Sequence, residues 1–336
     1  MKQAGNRVKR ADKQTVTGLG CALVLLSGCA GGGPGAAGEQ DAARGKIVLG
    51  HYAHSSIPFP ATIAVEQGFF KEEGLDVQLL NAKSGPELAA QLIGGSTQIA
   101  TVSPDNIIPA IEQGQPITLL PPYGKLDMLF AAPKSSGITD VKQLAGKRLG
   151  IVARGTASEK YARAMFKKVG VNPASVTFVA VGGAVTQEPA LRNGKVDAVV
   201  GSTSSYLTMR SHGLDVVAFS DALAGDAGEL SRNGLQVLWA TTKEYKAEHP
   251  ETVDKFCRAL GSAVKWINDD ANKEAGTESL ATLLGIDAKA AGKLWDAVHT
   301  SFVTDTDDAT WKANVKFSVG SPDAVPFSAV DNTCGT

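Results

Sequence analysis

Two stretches of this chain pass through the same run of elements at a nearly constant separation, and that repeat limits the fold more than any other feature. The first runs through Gly74-Leu75, a β-patterned segment at Leu75–Leu80 and a loop at Lys83-Ser84-Gly85. It continues through a helical segment to Leu92, Gly95, a second β-segment at Gln98–Val102, and Ser103. The second runs through Gly170-Val171, Val176–Val181, Gly182-Gly183-Ala184, a helix to Leu191, Gly194, Val196–Val200 and Gly201-Ser202. Gly74 matches Gly170 at an offset of 96, and Ala100 matches Ala198 at an offset of 98. Strands and helices alternating at this spacing predict mostly parallel sheets flanked by helices, an α/β class. An offset held through four elements predicts two similar lobes rather than one large sheet. A chain of 336 residues is long enough for two cores.

The rest of the pattern fills in the lobes. Ile47–Tyr52 reads as a strand, Pro60 sits in the first turn of a helix that stops at Gly68, and Ser103 caps a helix beginning at Pro104. Strands follow at Ile117–Leu120 and Met128–Ala132. At Arg148–Arg163 a short buried strand turns at Gly155 into a helix with Ala157, Tyr161, Met165 and Val169 on one face. Such a turn leaves free N–H groups and the positive end of a helix dipole, a cradle for an anion or polar ligand. After a strand at Leu235–Ala240 the chain is helical, led by the amphipathic Pro250–Ile267. Leu126–Ala132 and Leu235–Thr241 are expected to join the lobes as a two-strand hinge. The expected division is 46–132 with 233–336 as lobe 1, and 133–232 inserted as lobe 2.

Residues 1–28 carry five basic side chains against Asp12 alone, then an apolar run from Val16 to Leu26, in the order of a signal peptide. The run is too short to span a bilayer as a stable helix. It ends in Leu26-Ser27-Gly28-Cys29, which looks like a bacterial lipobox with lipid carried on Cys29. An ordinary signal peptide containing a cysteine is the alternative. Residues 29–45 have no apolar periodicity and read as a flexible tether. The body is thus expected outside the cytoplasm, anchored to the cell membrane by lipid only. Without residues 1–28 it carries 28 basic and 33 acidic residues, which gives no reason to expect nucleic acid. Cys257 and Cys334 remain, and in an exported chain they are most simply a disulfide, with two free thiols as the alternative.

No Gly-x-Ser-x-Gly elbow, His-Glu-x-x-His pair or phosphate loop is present, and Gly31–Gly35 lies in the tether. His51 and His54 lack a third ligand for a metal, so no metal or cofactor is expected. What stands out is the set of strand-end loops, rich in Ser, Thr, Gly and aromatic residues, where parallel sheets hold ligands. Pro121–Lys125, with Tyr123, is one of them. Thr156-Ala-Ser-Glu159 has a capping-box pattern, and Glu159 either returns to the Thr156 N–H or contacts ligand.

Residues 64–80, 94–117, 138–171 and 190–201, and more weakly 245–269, resemble the solute-binding proteins of ABC importers in the nitrate/sulfonate/taurine and thiamine-pyrimidine (NMT1-like) group. The resemblance implies two lobes of the type II periplasmic-binding-protein topology closing on one small molecule, as a monomer. Delivery to a permease with ATPase subunits is implied too. Carried over by position, it implies ligand contacts from Tyr52, Ser55, Ser56, Ser84, Ser103, Asp105, Gly155, Thr156, Ser158, Thr203 and Tyr206. The implied solute is a sulfonate-, taurine- or nitrate-like anion or a pyrimidine-like compound. Glu159 stands where relatives often carry a neutral or basic residue, which weakens the anion half of that expectation. A pyrimidine-synthesis enzyme or a ligand sensor on the same fold is the alternative.

Overall fold

The computed structural model describes residues 46–52, 55–82 and 84–336, so the signal peptide, Cys29, the tether, His54 and Lys83 lie outside the described residues. In chain order the strands are β1 (Lys46–Tyr52), β2 (Asp76–Ala82), β3 (Ile99–Val102), β4 (Ile117–Lys125), β5 (Leu129–Pro133) and β6 (Arg148–Ile151). They continue with β7 (Thr177–Ala180), β8 (Ala198–Gly201), β9 (Val216–Phe219), β10 (Leu235–Thr242) and β11 (Phe302–Val303). They form two sheets, ordered β11-β4-β10-β3-β1-β2 and β7-β6-β8-β5-β9.

The repeat reappears as matching sheet order: β2, β1, β3, β10 and β4 of one sheet stand where β7, β6, β8, β5 and β9 stand in the other. Register matches as well. Gly50 pairs with Ala100, and Gly150 pairs with Val199, at equivalent places on β1 and β6. In each sheet the strand arriving from the other lobe, β10 or β5, is antiparallel to its neighbours.

β5 corrects the expected lobe boundary. Leu129–Ala132 pairs only within the second sheet, between β8 and β9, so the chain has already left the first sheet. The unbroken apolar run of β5 fits a strand covered on both faces, with Phe130 and Ala132 in one half of the second core and Leu129 and Ala131 in the other. The crossing is therefore the short stretch 126–128, tied to its counterpart by Asp127 N–H donating to Gln236 Oε1 at 2.7 Å. β4 also runs further than its pattern indicates. It continues through Pro121, Pro122 (a cis bond) and Tyr123 to Lys125, and its register against β10 shifts there. Prolines supply no N–H to the ladder, and the irregularity falls where those donors are missing. β9 lies in a stretch for which the sequence reading named no element.

Each sheet is covered on both faces. Trp239, Phe256 and Trp295 pack on one side of the first, and Leu119, Leu238 and Trp311 on the other. Phe130, Tyr161 and Phe166 form the larger half of the second core. The helix Ala157–Val169 closes at Gly170, whose φ of 77° is the left-handed value a C-cap needs. Cys257, on the helix Pro250–Ile267, is bonded to Cys334 (Sγ–Sγ 2.04 Å), pinning the C-terminal tail. Among the described residues no helix is long and apolar enough to cross a membrane.

Candidate functional site

Parallel strands collect their carboxyl ends, and the amino ends of the helices that follow, on one side of a sheet. Here both sheets turn that side toward a shared cleft of about 520 Å³. Lobe 1 lines it with Tyr52, Ser55, Ser84, Ser103, Asp105 and Asn106, and lobe 2 with Thr156, Ser158, Gln187, Ser202, Ser204 and Ser205. Ile57, Met128, Val152 and Val200 give it an apolar floor. Among the described lining residues no side chain is cationic, and Asp105 carries the one carboxylate.

The lobe 1 wall is organised around the start of the helix Pro104–Glu112. Asn106 Nδ2 donates to Ser103 Oγ at 2.6 Å, and the Tyr52 hydroxyl is hydrogen-bonded to both side chains. Gly85 makes this possible, because a Cβ there falls 2.0 Å from Asn106 Nδ2. Burial, then the Asp105 charge, push the Tyr52 phenol above its ordinary range. Asp105 reaches across the cleft, where its Oδ2 accepts the Ala157 N–H at 2.8 Å. Ala157 is the first residue of the helix Ala157–Val169, so the anion cradle of lobe 2 is capped by a carboxylate of lobe 1. Burial pushes the Asp105 carboxyl up, against the pull of the Ser103 hydroxyl, the Ala157 N–H and the Lys160 charge.

On the lobe 2 side the hydroxyls of Thr156 and Ser158 are engaged by their own turn. Thr156 donates to the Ala153 carbonyl at 2.8 Å, and Ser158 Oγ accepts the Val152 N–H at 2.9 Å. Both readings of Glu159 need correcting. It neither returns to the Thr156 N–H nor lines the cleft; its Oε2 accepts the Gly155 N–H at 2.8 Å. Its Oε1 takes Arg163 at 2.6 Å and Arg154 at 3.3 Å, and both guanidiniums lie over the Phe178 ring. Burial alone would raise the Glu159 carboxyl, but the Gly155 N–H and the two arginines carry it below its ordinary range.

Tyr52, Ser55, Ser84, Ser103, Asp105, Thr156 and Ser158 come together in the cleft, and the other expected contacts do not. Tyr123 is fully buried in the first core, its hydroxyl donating to Asn332 Oδ1 at 3.0 Å, because β4 continues past the expected loop. The N–H and hydroxyl of Thr203 both donate to Asp127 Oδ1, at 2.8 and 2.7 Å, turning it toward the crossing. Burial drives the Asp127 carboxyl up to about 6, resisted by those two bonds and helped by the Asp221 charge. Tyr206 packs between two cores with its hydroxyl accepting from Arg210 at 3.2 Å. Ser56 is buried in the turn, its carbonyl accepting the Phe59 N–H, and Gly155 is used by Glu159.

From sequence, Asn106, Ser202, Ser204 and Ser205 fall in strand-end loops without being named as contacts, and nothing singles out Gln187 or Gln236. The serines were within reach, since Ser202 is a helix N-cap and the residues after it turn toward the strand ends. Gln187 carried no local signal: it is mid-helix, and only the fold aims it into the cleft.

Two lobes, matching sheets and a cleft at their strand ends define the periplasmic-binding-protein fold. A family model described as NMT1/THI5 like matches residues 59–273, and the chain belongs to that family. It is 28% identical over 230 residues to a 4-amino-5-hydroxymethyl-2-methylpyrimidine phosphate synthase of Saccharomyces cerevisiae, covering 64% of this chain and 64% of the yeast protein's length. A Bacillus subtilis protein provisionally named as an aliphatic sulfonates-binding protein is 26% identical over 262 residues, covering 75% of this chain and 74% of that one. The solved alkanesulfonate-binding protein of Xanthomonas axonopodis pv. citri superposes with a TM-score of 0.70 at 15% identity, over 85% of this chain and 98% of that one.

Proposed function

We propose that this protein is the extracytoplasmic solute receptor of an ABC importer, lipid-anchored through Cys29, which encloses one small organic molecule and delivers it to a permease with ATPase subunits. The observation that carries the reading is the shared cleft, walled by neutral hydroxyl and amide groups from both lobes and bridged by Asp105 and the Ala157 N–H. A solute touching both walls binds the closed arrangement better than the open one and shifts the equilibrium toward it. The expected division into lobes, 46–132 with 233–336 against 133–232, belongs to this reading once its boundary is moved to 126–128.

The yeast relatives favour a second reading, a pyrimidine-phosphate synthase. Against it, Tyr52 and Asp105 are the ionisable side chains of the described lining, a meagre set for acid–base or nucleophilic chemistry. A sensor handing its closed form to a signalling partner shares the cleft, and co-purification with a permease rather than a receptor kinase separates the two.

Thermal unfolding is measured with sulfonates, nitrate, taurine, pyrimidines, small aromatic acids and organic amines. A ligand at 100 times its Kd adds about 2.7 kcal/mol of stability. No response to any of them overturns the receptor reading. Cys29→Ala is expected to release the protein from the membrane, and retention refutes the anchor.

A further inference from the structure

Two buried polar atoms of the cleft have no hydrogen-bond partner among the described residues: Asp105 Oδ1 in the lobe 1 wall and Gln187 Oε1 in the lobe 2 wall. Both side chains are nearly inaccessible, at 6% and 1% exposure, so bulk water does not complete them. Both atoms are acceptors. The Gln187 amide is oriented by its other end, since Nε2 donates to the Val200 carbonyl at 2.8 Å, and the residue lines the cleft. Gly201 makes room for it, because a Cβ there falls 2.8 Å from Gln187 Oε1. An acceptor desolvated without a donor is costly, so the molecule filling this space must bring donors.

The site rejects the opposite chemistry. The N–H at the start of the helix Ala157–Val169, the natural seat of an oxyanion, is taken by the Asp105 carboxylate. Among the described residues, Arg154 and Arg163 are engaged by Glu159, and Lys160 Nζ donates to the Ser318 carbonyl at 2.8 Å. An incoming sulfonate or nitrate would displace Asp105 and then lie beside its charge.

We infer that the enclosed solute is a nitrogen donor, a cationic amine or amidine on a flat apolar body, whose N–H groups satisfy Asp105 Oδ1 and Gln187 Oε1 from opposite walls. Its body rests on Met128, Val152 and Val200. This rests on the receptor reading and narrows it, setting aside the anionic ligands that part of the family resemblance suggests.

The test uses the full mature chain and two shape-matched probe sets, benzamidine with benzylamine against benzenesulfonate with benzoate, read by calorimetric titration and thermal shift. Binding confined to the nitrogen set is expected. Asp105→Asn, which keeps an oxygen for the Ala157 N–H, is expected to weaken benzamidine at least tenfold, and Gln187→Met to weaken it several-fold. Binding confined to the anionic set, or nitrogen binding unchanged in both variants, overturns the inference and leaves the receptor reading intact. Silence of both sets, together with silence across the wider panel above, removes the receptor reading and the inference with it.

Discussion

Asp127 and Ser158 both sit where the lobes meet, and each is a structural residue in a place that looks functional. Asp127 is held ionisable at the crossing by two donations from Thr203, with burial lifting its carboxyl to about 6. A raised value means the folded chain keeps its proton to higher pH than the unfolded chain, whose carboxyl ionises near ~3.9. The contribution of Asp127 is therefore full below that unfolded value and is lost as pH rises to about 6. Asp127→Asn keeps an acceptor for Thr203 and removes the titration. The stability difference, wild type minus variant, is expected to fall by roughly 1 kcal/mol per pH unit across that window and then level off. Denaturant midpoints at a series of pH values check this, and a flat difference refutes it. Ser158, an expected ligand contact, caps the Val152 N–H from a nearly inaccessible site. Ser158→Ala is expected to cost about 1–3 kcal/mol by orphaning that donor, whether or not ligand is present. What the sequence shows at this scale is residue type and turn position. It does not show which way a hydroxyl faces, and so Thr203 and Tyr206 read from sequence as ligand contacts.

Strands and helices were far more legible, because periodicity and glycine punctuation act locally. The repeat predicted both parallel sets, and the sheet orders match element by element. The failures share one cause: β4 past Leu120, the lobe assignment of β5 and the existence of β9 all depend on sheet neighbours distant in sequence. Gly50 and Gly150 show the same limit, since nothing local marks them as different from a turn glycine. Each lies in a strand interior where a helix or neighbouring strand presses close. A Cβ on Gly150 falls 2.9 Å from Val199 Cγ1 and 3.0 Å from Val181 Cγ2. Gly150→Ala is expected to destabilise by about 1–3 kcal/mol through overpacking, read as a lowered thermal midpoint. A midpoint equal to wild type would mean the second sheet absorbs the methyl group freely.

At the scale of the molecule, hydrogen bonds join the lobes at separated places, beside the packing of Tyr206 and Leu207 against the first core. Asp105 meets the Ala157 N–H in the cleft, Lys160 meets the Ser318 carbonyl, and Ser211 exchanges hydrogen bonds with Asp287 at 2.7 and 3.1 Å on the far side. A receptor that binds by closing has an apparent affinity reduced by the fraction of time it is closed. Contacts remote from the cleft therefore tune affinity without touching ligand. Ser211→Ala is the cleanest probe, since neither Ser211 nor Asp287 lines the cleft and the Asp287 cap on the Ala290 N–H survives. Losing about 1 kcal/mol of closed-state preference is expected to weaken binding of any cleft ligand up to about fivefold. Small-angle scattering without ligand is expected to show a slightly larger radius of gyration than wild type, and the two are expected to converge at saturation. Weaker binding with no change in the unliganded radius would mean that Ser211 acts on the cleft and not on closure, and an unchanged affinity would mean that this contact contributes nothing to the closed state.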